Sequence, residues 1–520
     1  MSNQRSDYFR NIFNIFSHTT IGDKMKKETL WQEKIEPLVT EEIPKHLEVD
    51  ILIIGGGIAG ISTLFELKPK KETIALIDQD QIGMGTTART TGKLCYMQEL
   101  CYHKLEKIFN FDTARLYLEA TMNAIKQVKH HILTNQIACD YEEVDAYVFT
   151  NDETEIPTFE KEETFYEKAS LPYQREYQIP LDTPVKYALK TSNQAVFHPL
   201  KYLYALTRLS LEQGKKIYQN VRAQTITKIG EHYQVTTDKG TILAKKIIVC
   251  THYPFFIHPG FIPFRTHIEN SFITTTNTNE NYHFQAITSN KPTDSFRFHY
   301  DEKNYFLYAG ESSKNSNHFD YEKRLEELQH KLYFDFKVTP DYIWYTHDIM
   351  TNDSLPFIGP INHKNPNLMI ATGFNKWGMT NGVLAGMILS DLIMEKENKY
   401  AKIVSPSRRI NMEKVKNFFI DGFTSTKSII KAKFIKDQPF YQDNVKITYE
   451  DGVRIGIYKD AQGKLHKVKN VCPHMKCNLI FNYIDTTWDC PCHGSKFDID
   501  GNVLKGPSVY SIQLEKKKKD

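Results

Sequence analysis

The clearest hydrophobic pattern of the chain is a short apolar run followed at once by a glycine-rich turn. Residues 49–54 form the run, which is too short to span a membrane and indicates a buried strand. Residues 55–60 hold the glycines and open a helical stretch, and residues 73–78 indicate a second strand. The pattern therefore predicts a strand, a tight turn, a helix and a second strand between residues 49 and 78.

The glycine spacing in this turn is typical of dinucleotide binding when it follows a strand and opens a helix. Gly55 permits the tight turn, Gly57 lets a pyrophosphate approach the backbone, and Gly60 lets the helix pack closely on the strand. The N-terminus of the helix offers unpaired N–H groups to the phosphates. Asp78 follows the second strand, where a carboxylate can accept hydrogen bonds from ribose hydroxyls. An ordinary glycine turn is the alternative, but the order of strand, motif, helix and acid favours a dinucleotide.

Strand and helix patterns alternate further along the chain. Residues from about 100 to 133 carry a helical pattern, residues 215–218 indicate a short strand with Val221 just past its end, and residues 245–252 indicate a buried strand with a polar end. Residues 255–345 are rich in Phe, Tyr and Thr, a composition that favours antiparallel strands. We interpret this last region as a sheet on the substrate side.

Small and hydroxyl-bearing residues recur in two later places. Residues 83–94 form a loop of this kind with one arginine, which can bring hydrogen-bond donors close to a flat cofactor. As an isolated stretch, the same loop would be only a flexible connection. Residues 368–373 end another predicted strand, and residues 373–380 open a helix that runs towards Met394. A second glycine-rich helix N-terminus is therefore available to a ligand.

Length, composition and charge limit the classes of function. A chain of 520 residues with 40% hydrophobic residues is long enough for two to four domains. The formal net charge of +3 creates no field that would attract nucleic acid, and the basic residues 516–519 indicate a solvated tail. Because no apolar stretch approaches the roughly 20 residues of a membrane span, we expect no transmembrane segment and a cytoplasmic location. Residues 9–16 repeat Phe and Ile at helical spacing, for which a peripheral membrane contact and a helix packed on the protein itself are alternatives.

Four of the eight cysteines crowd into residues 472–492, which indicates a metal site. Two loops there carry Cys472 with His474 and Cys490 with His493, so they can deliver two thiolates and two imidazoles to one place. Thiolates suit one iron of a [2Fe–2S] cluster, and histidines can hold the other iron. A tetrahedral zinc site is the alternative. Cys492, between two ligands, and the Gly-Ser pair after the second loop's histidine favour the cluster.

The first 400 residues resemble the glycine oxidase and D-amino-acid oxidase superfamily of flavoproteins from about residue 48 onwards. The matching stretches are residues 54–60, 85–92, 249–252, 353–359, 371–374 and 378–380. In that family the first glycine motif binds the pyrophosphate of FAD, and the acid after the second strand binds the adenosine ribose. The valine that matches Val221 contacts adenine through its backbone, and the last glycine-rich helix start faces the flavin. Asp78 stands where the family more often has glutamate, and its shorter side chain can still reach the ribose.

This resemblance implies a set of FAD-contacting residues spread over four parts of the chain. The implied contacts are Gly55, Gly57, Ile58, Ala59, Gly60, Asp78, Thr86, Thr87, Arg89, Thr90, Gly92, Val221, Thr251, His252, Gly373, Gly378, Met379 and Thr380. Arg265, Arg297 and Tyr308 in the substrate-side region are candidates for anchoring a carboxylate, with surface or packing roles as the alternative. The catalytic residues stay unassigned.

Residues 444–514 resemble the Rieske domain almost residue for residue in the two cysteine loops and in a later Gly506-Pro507 pair, which matches the loop that covers the cluster. The resemblance implies that Cys472 and Cys490 ligate one iron and that His474 and His493 ligate the other.

Cys477 and Cys492 match the extra pair that bridges the two loops in Rieske proteins of the cytochrome bc type. The resemblance implies a disulfide, against which a reducing cytoplasm would argue. Ser495 matches the hydroxyl that hydrogen-bonds cluster sulfur, whereas Phe497 stands where the high-potential proteins have tyrosine. Donors to sulfur favour the reduced cluster, so we expect a reduction potential below that of the bc type.

The expected fold class is α/β, with a Rossmann-like FAD-binding domain interleaved with an antiparallel-sheet substrate domain, plus a small all-β Rieske domain. The expected units are an N-terminal extension (1–45), the FAD-dependent oxidoreductase (46–400), a helical connector (401–443), the Rieske [2Fe–2S] domain (444–514) and a basic tail (515–520). Within the oxidoreductase, FAD-binding segments at about 46–100, 190–255 and 346–400 alternate with substrate-side segments at about 101–189 and 256–345.

A flavin accepts two electrons as a hydride, whereas an iron–sulfur cluster carries one electron at a time. With the flavoprotein resemblance, this implies a dehydrogenase that oxidises an amine or amino acid by hydride transfer to the flavin and passes electrons singly through the cluster. Its partners would be a small-molecule substrate and a one-electron acceptor protein. One alternative is a reductase, in which a donor protein feeds the flavin through the cluster. The other is a redox sensor or electron carrier without substrate turnover.

Overall fold

The computed structural model describes residues 26, 28–68, 71–255, 262, 265–314, 321–408 and 444–514. Its strands are β1 (His46–Ile54), β2 (Ile74–Ile77), β3 (Lys93–Leu94), β4 (Glu142–Thr150), β5 (Gln174–Glu176), β6 (Tyr187–Val196), β7 (Lys216–Tyr218), β8 (Ala223–Ile229), β9 (His232–Thr237), β10 (Thr241–Val249), β11 (Thr266–Thr278), β12 (Phe284–Thr288), β13 (Ser295–Asp301), β14 (Lys303–Lys314), β15 (Tyr342–Thr351), β16 (Phe357–Pro360), β17 (Leu368–Thr372), β18 (Val445–Glu450), β19 (Val453–Lys459), β20 (Leu465–Lys469), β21 (Ile480–Asn482), β22 (Thr487–Asp489), β23 (Lys496–Phe497) and β24 (Val503–Lys505).

The α-helices are α1 (Ile58–Glu66), α2 (Tyr102–Ile108), α3 (Phe111–Asn135), α4 (Ile156–Lys168), α5 (Pro199–Glu212), α6 (Tyr321–Phe336), α7 (Gly378–Ile393) and α8 (Ala401–Val404). Short 3₁₀ turns cover Leu30–Gln32, Thr86–Arg89 and Glu153–Glu155. The apolar repeat predicted at residues 9–16, most of the predicted connector and the basic tail lie outside the described residues. None of the helices that the structure describes is both long and apolar enough to cross a membrane.

The first sheet is the predicted nucleotide-binding sheet, with the strand order β16-β17-β10-β1-β2-β7. Strands β17, β10, β1, β2 and β7 run parallel, and β16 is antiparallel at the edge. β1 lies between β10 and β2, so its last four residues are buried, which explains their uninterrupted apolar run. The predicted strand, turn, helix and strand over residues 49–78 are present as β1, α1 and β2.

Helices α1 and α7 pack against each other at very short range, because glycines replace larger side chains where they meet. A Cβ atom added at Gly382 would lie 2.5 Å from the Ile58 side chain, and one at Gly386 would lie 2.7 Å from Ser62. This close contact sets the two glycine-rich helix N-termini side by side at one edge of the sheet. Both termini therefore open towards the same space.

The second sheet has the order β15-β11-β14-β13-β12-β4-β6-β3, with β5 beside β6. Its pairs are antiparallel except for the parallel pair β12 and β4, so the predicted antiparallel character of the substrate side is correct. Its aromatic residues form a core of their own, in which Phe296, Phe306 and Tyr308 pack against Phe336 of α6. The composition of the region did not predict helix α6 within it.

Three parts of the predicted FAD-binding segments belong to this second sheet instead. β3 lies within segment 46–100, most of β6 lies within segment 190–255, and the second half of β15 lies within segment 346–400. β6 pairs with β3 and β4, and β15 pairs with β11 along its whole length. The hydrophobic pattern of a strand does not tell which sheet it joins, since the partner strand decides that.

The described part of the N-terminal extension packs onto the oxidoreductase core. Trp31 is fully buried and donates a hydrogen bond from its indole nitrogen to the carbonyl of Thr90 at 2.7 Å. Its ring contacts His198 and His299 edge-on at centroid distances of 5.1 and 5.0 Å. The extension therefore packs against the outer side of the loop at residues 83–94, which is rich in small and hydroxyl-bearing residues, and we call it the hydroxyl-rich loop.

The C-terminal region forms two small antiparallel sheets, β18-β19-β20 and β21-β22-β23-β24. They pack through Gly456 and Trp488, because a Cβ atom at Gly456 would lie 2.5 Å from the indole ring. This all-β unit is docked on the oxidoreductase: Arg89 pairs with Asp485 at 3.5 Å, and Gln79 donates to the carbonyl of Leu504 at 3.1 Å. The predicted fold class is thus confirmed.

Candidate functional site

A cavity of about 650 Å³ lies where the first sheet, the second sheet and the C-terminal unit meet. Most of the residues that the sequence predicts as FAD contacts border it. They are Gly55, Gly57, Ile58, Ala59, Asp78, Thr86, Thr87, Arg89, Thr90, Val221, Thr251, His252, Gly373, Gly378 and Met379. The tertiary structure therefore gathers four separate parts of the chain around one space.

Three of the predicted contacts, Gly60, Gly92 and Thr380, do not border the cavity. A Cβ atom at Gly60 would lie 1.8 Å from the carbonyl oxygen of Gly55, so this glycine lets α1 rest on the turn after β1. Gly92 has a φ of +70°, and its missing side chain leaves room for the Arg297 guanidinium. Thr380 accepts a hydrogen bond from the Cys95 amide at 3.1 Å. These residues support the wall of the cavity from behind.

The turn between β1 and α1 has the shape that a pyrophosphate requires. Gly55 has a φ of +111°, and a Cβ atom there would lie 2.5 Å from the carbonyl oxygen of Cys250. The amide of Ile58, at the start of α1, donates to the Thr87 hydroxyl at 3.0 Å. A Cβ atom at Gly57 would lie 3.2 Å from the same hydroxyl. A turn without side chains, the Thr87 hydroxyl and the N-terminus of α1 thus border the cavity together, and this arrangement fits FAD.

Asp78 lies at the end of β2 and borders the cavity beside Val221. Its carboxylate accepts hydrogen bonds from the amides of Gly56 at 2.5 Å and Asp80 at 2.8 Å. Burial raises the pKa of Asp78 to about 6, although both amides oppose the shift. The Val221 amide donates to the Asp78 carbonyl at 2.8 Å. Both residues border the cavity, and the ribose and adenine contacts that the resemblance implies for them stay a prediction.

The cavity wall formed by the second sheet carries charged residues that the sequence analysis missed. Asp348 lies on β15, and burial raises the pKa of its carboxyl group to about 6. Lys376 also borders the cavity and pairs with Glu269 at 2.8 Å. Burial alone would raise the pKa of Glu269, but the Lys376 ammonium and His267 together outweigh it and hold that pKa well below its usual range. The signal in the sequence that could have revealed Asp348 is that it is a charged residue within the largely apolar and aromatic strand β15.

Lys93 is a further buried cation on this wall. Its ammonium donates to the carbonyl of Ala286 at 2.8 Å and to the Ser295 hydroxyl at 2.6 Å. Burial lowers the pKa of Lys93 to about 7, because the charged form loses its hydration. The wall therefore offers both a carboxylate and an amine to a polar molecule in the cavity.

The three residues considered as carboxylate anchors all have packing roles and do not border the cavity. Arg265 lies over the Phe357 ring at 4.3 Å and donates to the carbonyl of Pro406. Arg297 donates to the carbonyls of Thr91, Gly92 and Phe197 and so holds the hydroxyl-rich loop. The Tyr308 hydroxyl donates to Asp294. The packing alternative is the one that the structure supports.

The four predicted cluster ligands lie together at one end of the C-terminal unit. The Cys472 and Cys490 side chains are hydrogen-bonded to each other, and the His474 and His493 rings meet edge to face at a centroid distance of 5.0 Å. Both nitrogens of His474 and Nδ1 of His493 are buried and have no hydrogen-bond partner among the described residues. Two thiols on one side and two unpartnered imidazoles on the other fit a [2Fe–2S] cluster.

A mononuclear zinc site fits this arrangement poorly. Four ligands of one zinc ion must converge on one point. In the described part of the chain, the single set of three or more potential ligand atoms that all lie within 4.8 Å of one another is Cys477, Cys490 and Cys492. Two of these cysteines form a disulfide, so they offer no thiolate. The predicted ligands thus surround a larger group than a single ion.

The disulfide joins Cys477 to Cys492, as the resemblance implies. The two Cα atoms are 6.6 Å apart, and the bond ties the two ligand loops together. Cys472 receives hydrogen bonds from the backbone of His474 and from the Ser495 side chain. The ligand sulfur is therefore surrounded by donors, among them the predicted serine.

Phe497 is fully buried on β23 and has no hydroxyl group to offer to the cluster. We expect Phe497→Tyr to raise the reduction potential by roughly 40–90 mV, the equivalent of one added hydrogen bond of about 1–2 kcal/mol. Protein-film voltammetry measures the shift directly. Phe481→Tyr adds a hydroxyl on β21 as the control, and an unchanged potential in Phe497→Tyr would contradict the assignment.

The cluster end of the C-terminal unit faces the cavity wall. The Tyr253 ring, which borders the cavity, lies 5.1 Å from the His493 ring and 6.3 Å from the His474 ring, centroid to centroid. Gly494 has a φ of +78°, and a Cβ atom there would lie 2.6 Å from Nε2 of His347, another residue of the wall. The second ligand loop therefore packs directly on the wall.

Comparison with known proteins agrees with both halves of the chain. The family of FAD dependent oxidoreductases matches residues 50–392, and the Rieske [2Fe-2S] domain matches residues 432–514. A Bacillus subtilis (strain 168) protein, YhfW, whose name describes it as a Rieske 2Fe-2S iron-sulfur protein, is 33% identical over 94% of this chain and 98% of its own length.

More distant similarities concern the oxidoreductase part alone. Gamma-glutamylputrescine oxidoreductase of Escherichia coli (strain K12) is 23% identical and covers 68% of this chain and 85% of its own length. The crystal structure of glycine oxidase from Geobacillus kaustophilus covers 70% of this chain and 100% of its own, with a TM-score of 0.57 and 16% identity, which shows a shared fold. The chain therefore belongs to the FAD dependent oxidoreductase family and ends in a Rieske [2Fe–2S] domain, so FAD and a two-iron, two-sulfide cluster are its cofactors.

Proposed function

We propose that this protein oxidises an amine or an amino-acid-like substrate and releases the electrons one at a time through its Rieske domain. When bound, FAD would accept a hydride from the substrate, and the cluster would carry single electrons to an acceptor protein. The observation that carries the proposal is the position of Tyr253 between the cavity and the two histidines proposed as cluster ligands. Tyr253 would thus contact both proposed cofactor sites.

The contact around Tyr253 is well packed, which suits electron transfer within one chain. Tyr253 is 4% exposed, and His493 is 3% exposed. Gly494 lies so close to the His347 imidazole ring that a Cβ atom at this position would be 2.6 Å from Nε2 of that ring. The ion pairs between Lys496 and Asp485 and between Arg89 and Asp485 add polar contacts beside this apolar interface. Such packing would hold the two redox sites at one fixed separation.

The proposed substrate class rests on the charges of the second-sheet wall. Asp348 borders the cavity, and an ionised carboxylate in a dry wall recognises an ammonium group. Lys93 on the same wall is suited to a carboxylate or a carbonyl of the same molecule. A relative that covers two thirds of this chain is named for its action on gamma-glutamylputrescine, which agrees with an amine-bearing substrate.

We expect the KM for the substrate to depend on the ionisation of Asp348. Burial raises its pKa to about 6, so the carboxylate is ionised at pH 7 and above and becomes protonated as the pH falls through about 6. KM should therefore rise between pH 7 and pH 5. In Asp348→Asn, KM at pH 7 should rise roughly 10-fold or more, because a charge-assisted hydrogen bond of about 1.5–3 kcal/mol is lost.

Steady-state kinetics from pH 5 to pH 8 measure this dependence, and the profile of Asp348→Asn should be flat between pH 7 and pH 5. Asp335→Asn, which changes an exposed aspartate on α6, is the matched control. An Asp348→Asn variant with the KM and the pH profile of the unchanged protein would show that another group recognises the substrate.

The direct test of the function is the anaerobic addition of candidate amines and amino acids to the full-length protein. Stopped-flow absorbance records flavin bleaching, and freeze-quenched EPR records the reduced Rieske signal. Bleaching followed by the EPR signal supports the proposed dehydrogenase. Bleaching only after a one-electron donor is added would identify a reductase instead, and no response to either would identify a sensor or carrier.

A further inference from the structure

Lys505 is a residue of the Rieske domain whose side chain reaches the FAD cavity. It ends strand β24 and borders the cavity together with Gly506 and Ser508. Its ammonium donates a hydrogen bond to the Thr86 hydroxyl at 3.3 Å, and the two residues are 419 positions apart in the sequence. The Rieske domain therefore contributes a cation to a cavity whose other predicted FAD contacts all come from the oxidoreductase.

Lys505 lacks a carboxylate partner within the described part of the chain. Two carboxylates of the same domain pair with other cations: Asp485 pairs with Arg89 at 3.5 Å and with Lys496, and Asp489 lies 3.5 Å from Lys496. Burial, together with the neighbouring Lys496 and Arg89, lowers the pKa of Lys505 to about 7, against the opposing charges of Asp348 and Asp489. A partly buried ammonium that forms no ion pair is costly, so an anionic ligand would relieve the cost.

The position of Thr86 shows which part of a dinucleotide such a cation would meet. The next residue, Thr87, accepts a hydrogen bond from the Ile58 amide at the start of α1, and its hydroxyl lies 3.2 Å from where a Cβ atom of Gly57 would be. Lys505 is thus hydrogen-bonded to Thr86, the sequence neighbour of the residue that contacts the glycine turn. The diphosphate carries two negative charges at this turn, and a lysine ammonium is a common partner for phosphate oxygens.

We propose that Lys505 of the Rieske domain binds the pyrophosphate of FAD, so that both domains together complete the FAD site. FAD and the docked Rieske domain would then stabilise each other, because the negative pyrophosphate of FAD would pair with the positive ammonium of Lys505. Docking also fixes the ligand loop with His493 against Tyr253, so a bound cofactor helps to set the separation of the two redox sites.

Equilibrium binding to the full-length protein, freed of flavin and with its cluster content checked by EPR, tests the proposal. Three ligands separate the parts of FAD: FAD itself, ADP with the diphosphate but no flavin, and riboflavin with the flavin but no phosphate. Three variants are compared with the unchanged protein: Lys505→Met, Lys505→Arg, and Lys464→Met as a control for loss of an exposed charge in the same domain.

In Lys505→Met, the dissociation constants of FAD and ADP should both rise by roughly 10- to 100-fold, and that of riboflavin should stay within about twofold. Lys505→Arg should keep most of the affinity, and Lys464→Met should keep all of it. The rise in melting temperature that FAD causes should also shrink in Lys505→Met. Unchanged FAD and ADP affinities in a Lys505→Met protein that keeps its Rieske EPR signal would overturn the proposal, and so would a loss confined to riboflavin.

Discussion

Gly60→Ala is expected to destabilise the protein by roughly 3 kcal/mol or more and to abolish FAD binding. The added Cβ atom would lie 1.8 Å from the carbonyl oxygen of Gly55 and 3.0 Å from its carbonyl carbon. Both are backbone atoms of the turn after β1, so no side-chain rotation relieves the clash. Helix α1 would have to move away from β1, and the phosphate-binding turn would lose its shape.

Gly57→Ala is the matched control for Gly60→Ala. Its Cβ atom would meet only the Thr87 hydroxyl, at 3.2 Å, and a side chain can move by the few tenths of an ångström required. Gly57 also has a φ of −78°, which alanine adopts without strain. We expect a loss of stability within about 1 kcal/mol but weaker FAD binding, because the methyl group enters the phosphate site. Chemical denaturation and flavin fluorescence measure both quantities, and equal stability of the two variants would contradict the explanation.

Cys490→Ser should remove the Rieske EPR signal while FAD stays bound, because a serine hydroxyl replaces one of the two thiolates proposed to hold an iron. Substrate should still bleach the flavin at an unchanged rate. Transfer to a one-electron acceptor should fall at least about 100-fold, since losing a ligand exceeds the roughly 10- to 100-fold losses typical of residues around a metal site. This variant therefore separates substrate oxidation from electron release.

Cys139→Ser supplies the control for Cys490→Ser, because Cys139 is also a free, buried cysteine but lies in the oxidoreductase core. It should keep both the EPR signal and the transfer rate. The measurements are EPR of the dithionite-reduced protein and anaerobic stopped-flow with a one-electron acceptor. Normal acceptor reduction by a Cys490→Ser protein that lacks the cluster would contradict the proposed route.

The docking of the two domains links these predictions. Tyr253 meets the His493 and His474 rings, and Lys505 meets the loop beside the glycine motif. A change at one cofactor site is therefore expected to alter the properties of the other, such as the reduction potential of the cluster, because the two sites meet at a short, packed interface. The reduction potential of the cluster in the Lys505→Met protein, with and without FAD, would report this coupling directly.

Several features of the fold could be predicted from the sequence because they depend on a few neighbouring residues. The order of β1, the glycine turn and α1 follows from an apolar run and the spacing of Gly55, Gly57 and Gly60. The pairing of two thiolates with two imidazoles follows from the two short loops that carry them. The limits of the FAD-binding segments were less accurate, because the sheet that β3, β6 and β15 join depends on their partner strands.

By itself, the sequence determined that this chain has a dinucleotide-binding turn and a two-cysteine, two-histidine cluster motif. Each of these features depends only on the spacing of residues that are close together in the sequence. Only the tertiary structure decided that Asp348 and Lys93 line the cavity, that Arg297 serves the loop instead of a ligand, and that Lys505 reaches the FAD site. Those relations join residues that are far apart in the chain. Hydrophobic periodicity says which face of an element is buried but not which distant side chain it meets there.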